Sequence, residues 1–338
     1  MKDNRSKLVL NIIVILIVLC IVLYFSLKDN YYEIVTAIQN MNPIWFIIAI
    51  LILFVYRALA SLSHFLLIKQ NQENVSYLKM LQINFIILFF HGITPFAGGG
   101  QPMEVYFLHK EGIPIPKATN ITLQNFIVYQ VSLVTTGVFA LVYNLFFNLF
   151  PSNHLIKHLV ILGFIINFVV LVVTYILSFG KSINKFVLEK GIHLASYFRL
   201  IKNESETQEK FKSYLDNFHE NVVLLKEKRT NVIWYVLINI VGLLCLYSMP
   251  YFIAVGLGCD ITILNVIVGT AYVMIIGSFV PIPGGTGGIE YGFMFFYSYF
   301  ITGSILNAIM LVWRFVSYYL GMIFGAIALS FYRKSERE

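Results

Sequence analysis

Charge is scarce in this chain. Only 12% of its 338 residues are Asp, Glu, Lys or Arg, against 58% hydrophobic, and the mean hydropathy is +0.78. An average soluble domain carries about 25% charged residues, so the composition excludes an ordinary water-soluble enzyme and assigns the chain to a membrane. Cysteine is scarce as well. Cys20, Cys245 and Cys259 lie in or beside apolar segments without C-x-x-C or metal-ligand spacing. That excludes a disulfide framework and a zinc site and leaves three buried hydrophobic fillers. There is no Walker loop, no His/Cys cluster and no Ser/His/Asp set that chain order would support, so no catalytic residue, metal or cofactor is expected. The net charge of +7 would suit a nucleic acid. The basic residues lie between apolar runs, however, where membrane orientation accounts for them, and no nucleic-acid partner is expected.

What the chain does have is apolar runs of the length a bilayer needs, about 20 residues. Residues 8–27 form the first. It follows Lys2, Arg5 and Lys7 but lacks a small-residue cleavage site, so it is expected as a retained helix rather than a signal peptide. Residues 31–42 are amphipathic and are expected in the interface. Runs at 43–68, 118–150, 159–179, 232–256 and 304–332 bring the spans to six. Two further apolar segments, 77–110 and 261–299, are each broken in the middle. Residues 181–229 carry mixed charge, with Phe211, Tyr214, Phe218, Val222 and Leu225 at helical spacing, and are expected as an amphipathic helical hairpin on the cytoplasmic face. The expected fold class is therefore an all-α polytopic membrane protein in one integral membrane domain. Its parts are a first helix and interfacial segment (1–42), repeat 1 (43–179), the hairpin (180–230), repeat 2 (231–332) and a basic tail (333–338).

The two breaks share a motif. Pro95-Phe96-Ala97-Gly98-Gly99-Gly100-Gln101-Pro102-Met103-Glu104 and Pro281-Ile282-Pro283-Gly284-Gly285-Thr286-Gly287-Gly288-Ile289-Glu290 both fit Pro-x-x-Gly-Gly-x-x-x-x-Glu, 186 positions apart. Proline and glycine break helices, and freed backbone groups survive in a bilayer only inside protein or beside water. Paired interruptions of this kind mark transporter-like binding sites. If each broken pair dips in and returns to its own side, Lys2, Arg5, Lys7, Lys69, Lys79, Lys110, Lys117, the basic residues of 181–229, Arg333, Lys334 and Arg337 all face the cytoplasm. Only Lys28 and Lys157 then fall outside. Three spans separate the starts of the two repeats, so the pairs would be re-entrant from opposite faces, as an inverted repeat with both termini cytoplasmic.

Helix restarts after the glycines would present unpaired N–H groups and a positive dipole end to an anion. Gly98, Gly99, Gly100, Gln101, Gly284, Gly285 and Thr286 are therefore candidate substrate-binding positions, the glycines allowing close backbone approach. The bland alternative is that they only permit tight turns. Glu104 and Glu290 either compensate the helix dipole or meet a cation: a lipid amine, a proton or ion, or an intramembrane arginine. Arg57 and Arg314, each inside a span, either pair with those carboxylates or receive a lipid phosphate. His91 precedes the first loop and completes the set. Gln82, Asn84, Gln124, Asn125 and Gln130 are expected to bond helix to helix.

TPFAGGGQPMEVYFL (94–108), VPIPGGTGGIEYGFMFF (280–296) and LVWRFVSYYLG (311–321) resemble the bacterial flippase-like membrane family, also called the lysylphosphatidylglycerol synthase transmembrane region. The resemblance runs over roughly 8–332. It implies a bacterial cytoplasmic-membrane protein that moves lysyl-phosphatidylglycerol or another anionic or aminoacylated phospholipid to the outer leaflet. In bifunctional relatives a separate C-terminal cytoplasmic domain makes that lipid. No such domain is expected in this chain, which leaves a separate synthase as a partner. A homo-oligomer also stays open. Two other readings stand beside the flippase: an ion-coupled carrier of a small solute, and a membrane transferase of the phosphatidylglycerol lysyltransferase type.

Overall fold

The computed structural model describes residues 31–150, 154–179, 229–278 and 280–332. The expected span at 8–27, nearly all of the hairpin at 180–230 and the tail at 333–338 lie outside the described residues. The described residues form helices and connecting turns, with no strand among them. The order is α1 (Tyr31–Gln39), α2 (Pro43–Gln70), α3 (Tyr77–Ile93), a 3-10 turn (Pro95–Ala97), α4 (Gly100–Lys110), α5 (Ile115–Phe147) and α6 (His154–Phe179). Then come α7 (Arg229–Gly256), α8 (Ile263–Gly277), a second 3-10 turn (Pro283–Gly285), α9 (Gly288–Tyr297), α10 (Ser304–Arg314), a π-helical turn (Phe315–Leu320) and α11 (Gly321–Ser330).

Five helices are long and apolar enough to cross a membrane: Pro43–Gln70, Ile115–Phe147, His158–Ile176, Asn231–Gly256 and Ser304–Ser330, the last joining α10, the π turn and α11. They match the five expected spans among the described residues. Local chemistry sets their ends. Asn42 accepts from the Ile44 N–H just before Pro43, and Ser76 accepts from the Lys79 N–H, supplying partners for first-turn donors that a helix leaves free. The helix α5 starts three residues before the expected 118, because Pro116 sits in its first turn, where a proline costs no hydrogen bond. Exposed Ile161, Leu162, Ile165, Phe168, Val169 and Val172 cover α6, a surface suited to lipid tails rather than water.

The helices α2 and α7 both have 28 residues and start 186 positions apart, at 43 and 229. They pack on each other along their length, and the pairing is antiparallel. The Asn42 N–H bonds the Gly256 carbonyl (3.1 Å), Asn239 bonds Ser63 (2.7 Å) and Tyr235 bonds Gln70 (2.7 Å). The helix α3 likewise packs on α11 and α8 on α5. The first helix of each broken segment thus lies against the span that follows the broken segment of the other half.

Contacts sort the helix ends into two groups. At one end Lys79 lies 3.8 Å from Glu111, Lys117 lies 2.9 Å from Glu73, and Tyr332 donates to Glu111 at 2.6 Å. These join the start of α3, the region after α4, the start of α5 and the end of α11. At the other end Tyr297 in α9 donates to the Val266 carbonyl in α8 (3.1 Å), and Phe150 packs on Tyr272 and Phe296. Between the two groups, the 3-10 turns at 95–97 and 283–285 touch each other.

Candidate functional site

Each break is built by short-range chemistry. Thr94 donates to the Phe90 carbonyl (2.7 Å) and accepts from the Gly99 N–H (2.9 Å), which folds the first turn back on α3. His91 Nδ1 bonds the Ala97 carbonyl, and its ring fills the space where a Cβ on Gly100 would stand, 2.0 Å away. His91 is therefore a staple of the first turn. In the second turn Thr286 donates to the Pro283 carbonyl (2.8 Å) and Gly285 N–H to Ile282 (2.9 Å).

The two motifs, 186 apart in sequence, do not fold in that register. The 3-10 turns start at Pro95 and Pro283 and the helices restart at Gly100 and Gly288, a spacing of 188. Where the second turn places Gly284 (φ 67°) and Gly285 (φ 64°) in the left-handed region, the first places Phe96 (φ 53°) and Ala97 (φ 54°). Gly98 and Gly99 instead have ordinary right-handed backbone. The cause is the connection: α8 stops two residues earlier than α3 relative to their starts, but five residues rather than one separate its end from the 3-10 turn, so the second turn begins two residues late. The two glutamates consequently occupy different positions in their restarted helices.

Glu290 is the third residue of α9 and accepts from the Gly287 N–H at 2.6 Å, closing the helix start. Its other oxygen takes Arg314 Nε at 2.7 Å. Arg314 Nη2 also donates to the Gly284 carbonyl (3.1 Å) and Thr286 (3.5 Å), and the guanidinium lies over the Tyr318 ring at 4.6 Å. With 5% and 7% exposure, Arg314 and Glu290 form a buried pair. Both carboxylate oxygens are engaged, one by the helix start and one by the arginine.

Glu104 is the fifth residue of α4, beyond reach of the first free N–H groups. Its Oε1 lies 3.0 Å from Nε2 of His64 on α2, both side chains buried. Distance alone would make this a hydrogen-bonded ion pair. The alignment is poor, and both atoms lack a hydrogen-bond partner, as does His64 Nδ1. Angle decides here, because misaligned contacts lose most of their hydrogen-bond energy. Arg57, seven residues before His64 on the same helix, rests over the Tyr56 ring at 4.4 Å, with a buried Nε that also lacks a partner. His91 interacts electrostatically with both Arg57 and Glu104. Arg57 is thus not bonded to Glu104 as Arg314 is to Glu290.

Tyr318 joins the halves. Its hydroxyl donates to the Gly92 carbonyl at 2.8 Å, and a Cβ on Gly284 would sit 2.3 Å from its ring. Tyr318→Phe is expected to cost about 1 kcal/mol, read as a lower melting temperature in detergent with the helix content unchanged. Among the other polar residues, Gln82 bonds the Ala328 carbonyl, Gln124 bonds Asn71, and Gln130 bonds the Asn167 carbonyl, all between helices. Asn84 turns back on its own helix at Met80. Gln101 is half-buried on α4.

His64 and Tyr318 are the residues that sequence reasoning missed. His64 carried one signal, a histidine in the middle of a span. Tyr318 carried none.

The profile described as the lysylphosphatidylglycerol synthase TM region matches residues 11–325. The chain belongs to that family. The match takes in Arg57, His64, His91, Glu104, Glu290, Arg314 and Tyr318. Among curated proteins, a UPF0104 membrane protein of Archaeoglobus fulgidus is 24% identical over 306 residues, covering 88% of this chain and 89% of that one. A UPF0104 membrane protein of Methanothermobacter thermautotrophicus is 24% identical over 114 residues, covering 33% and 32%. The family name and the five apolar helices together make this lysylphosphatidylglycerol synthase TM region protein a multi-pass membrane protein.

Proposed function

We propose that this protein moves an anionic or aminoacylated phospholipid, with lysyl-phosphatidylglycerol the candidate implied by the family, across the cytoplasmic membrane of a bacterium. The headgroup passes where the two turns meet, and the tails stay in the bilayer. The observation that carries this reading is Arg57: a half-buried guanidinium in a spanning helix, with a buried Nε that has no partner, interacting electrostatically with the His91 that staples the first turn. An ionisable group inside a span is costly and marks a substrate path, and a guanidinium suits a phosphate. In this reading the halves form an inverted repeat with two re-entrant pairs. The antiparallel α2/α7 pairing and the sorting of helix ends support it, and the lysines at 69, 79, 110 and 117 support a cytoplasmic side for their end.

The test is headgroup movement in sealed proteoliposomes, comparing lysyl-phosphatidylglycerol with phosphatidylglycerol. The native chain is expected to move at least one of them, and Arg57→Gln to slow that movement by about tenfold or more, equivalent to one lost charge-assisted hydrogen bond of about 1.5–3 kcal/mol. No movement of either lipid by correctly inserted native protein would sink the reading and favour a solute carrier.

A further inference from the structure

The two half-sites differ in a way that the lipid reading does not use. Arg314 itself is held by a carboxylate, a carbonyl, a hydroxyl and a ring. In the first half Arg57 Nε, both nitrogens of His64 and Glu104 Oε1 are buried without hydrogen-bond partners, and His91 interacts with both Arg57 and Glu104. His64 is 0% and Glu104 5% exposed. Leaving such groups unsatisfied costs about 1–3 kcal/mol each, more when charged. The second arginine has its partners within the fold, and the first keeps polar atoms that a ligand could partner.

We propose that His64 and Glu104 hold one proton between them, and that this proton governs whether Arg57 is free to take an anionic phosphodiester headgroup. The inference rests on the lipid reading above and adds a coupling ion to it. With one proton the pair is neutral, whether as imidazole and carboxylic acid or as imidazolium and carboxylate. The positive charge of Arg57 is then uncompensated and attracts an anion. Without the proton the pair carries one negative charge, which neutralises Arg57 and opposes the anion. His91 interacts with both Arg57 and Glu104 and so couples the two parts of this circuit. Tyr56 and Tyr129 also face Arg57, and the lysines of the packed helices, Lys79 on α3 and Lys117 on α5, lie at the helix ends against Glu111 and Glu73, so the balance falls to Arg57, the two histidines and Glu104.

Linkage makes the effect reciprocal: the proton tightens the anion and the anion tightens the proton. Affinity for the anion therefore rises as pH falls, by up to about tenfold per pH unit for one linked proton. The carrier would take up headgroup and proton together, and a proton gradient would set the direction of lipid movement.

The test is calorimetric binding of dihexanoyl-phosphatidylglycerol to the full chain in detergent, in two buffers of different protonation enthalpy. About one proton taken up per lipid bound is expected, with binding tighter at lower pH. Glu104→Gln, which cannot lose that proton, is expected to bind at the low-pH strength at every pH, with no proton uptake. A Glu104 that only supported the fold would instead give weaker binding with the pH dependence intact, and that result overturns the proposal. Binding by the native protein with no proton uptake also overturns it while leaving the lipid reading standing, and this count decides even if the variant fails to fold. No lipid binding at all overturns both. Glycerophosphoglycerol, the same headgroup without tails, is expected to bind at least tenfold more weakly. Equal binding would assign the site to a soluble phosphodiester and overturn the lipid as its ligand.

Discussion

Arg314→Leu is expected to destabilise the protein by about 3–5 kcal/mol, the cost of leaving one member of a buried ion pair alone. Glu290 would keep its bond from the Gly287 N–H but lose the guanidinium 2.7 Å away, and the Gly284 carbonyl would lose a donor as well. The double variant Arg314→Leu/Glu290→Leu removes both charges and is expected to recover much of the loss, since apolar replacement of a whole buried pair is often near neutral. The difference between single and double variants is the informative quantity, measured from unfolding in a graded detergent mixture. A single-variant loss below about 1 kcal/mol is the range of exposed pairs, and would mean that Arg314 and Glu290 are solvated.

The break points of the membrane segments were legible in the sequence, because a proline and a run of glycines inside apolar residues allow few other structures. For Glu104 and Glu290 the sequence left dipole compensation and a cation partner open, with Arg57 and Arg314 as candidate arginines that could equally receive a phosphate. The structure pairs Arg314 with Glu290, whereas Glu104 lies against His64. The reason is the two-residue difference in register. It moves Glu104 away from the start of α4, and no motif match could show it, because Pro-x-x-Gly-Gly aligns the letters at the wrong spacing. The antiparallel meeting of α2 and α7 was readable as an equal spacing of 186 and as a count of crossings. The π turn after Arg314 was not, since nothing in Phe315-Val316-Ser317-Tyr318 separates it from ordinary helix.

Gly325→Ala should be the most damaging single methyl in the last span. Its Cβ would stand 2.4 Å from the Phe85 carbonyl oxygen and 2.9 Å from the Phe89 nitrogen. Those are backbone atoms of α3 and cannot turn aside, so the helices must separate, at about 1–3 kcal/mol for overpacking. Small residues allow this close approach where no water is present to drive helices together. One turn earlier, Gly321→Ala provides the control, because its Cβ meets only Leu88 Cδ1 at 3.4 Å and should change stability by less than about 0.5 kcal/mol. The measurement is a pair of melting temperatures in one detergent. Equal losses would show that α3 and α11 are not in backbone contact.

The π-helical turn at Phe315–Leu320 holds one more residue than an α-helix would at the same rise. That surplus can be expelled or passed along the helix without breaking the span. Expulsion would rotate everything beyond Arg314 by about 100° relative to it, the angle of one residue. Tyr318 would swing off the Gly92 carbonyl and out from under the guanidinium, while Arg314 kept its hold on Glu290. The last span would then act as a crankshaft, turning its far half to unlatch the two turns while its near half stayed anchored.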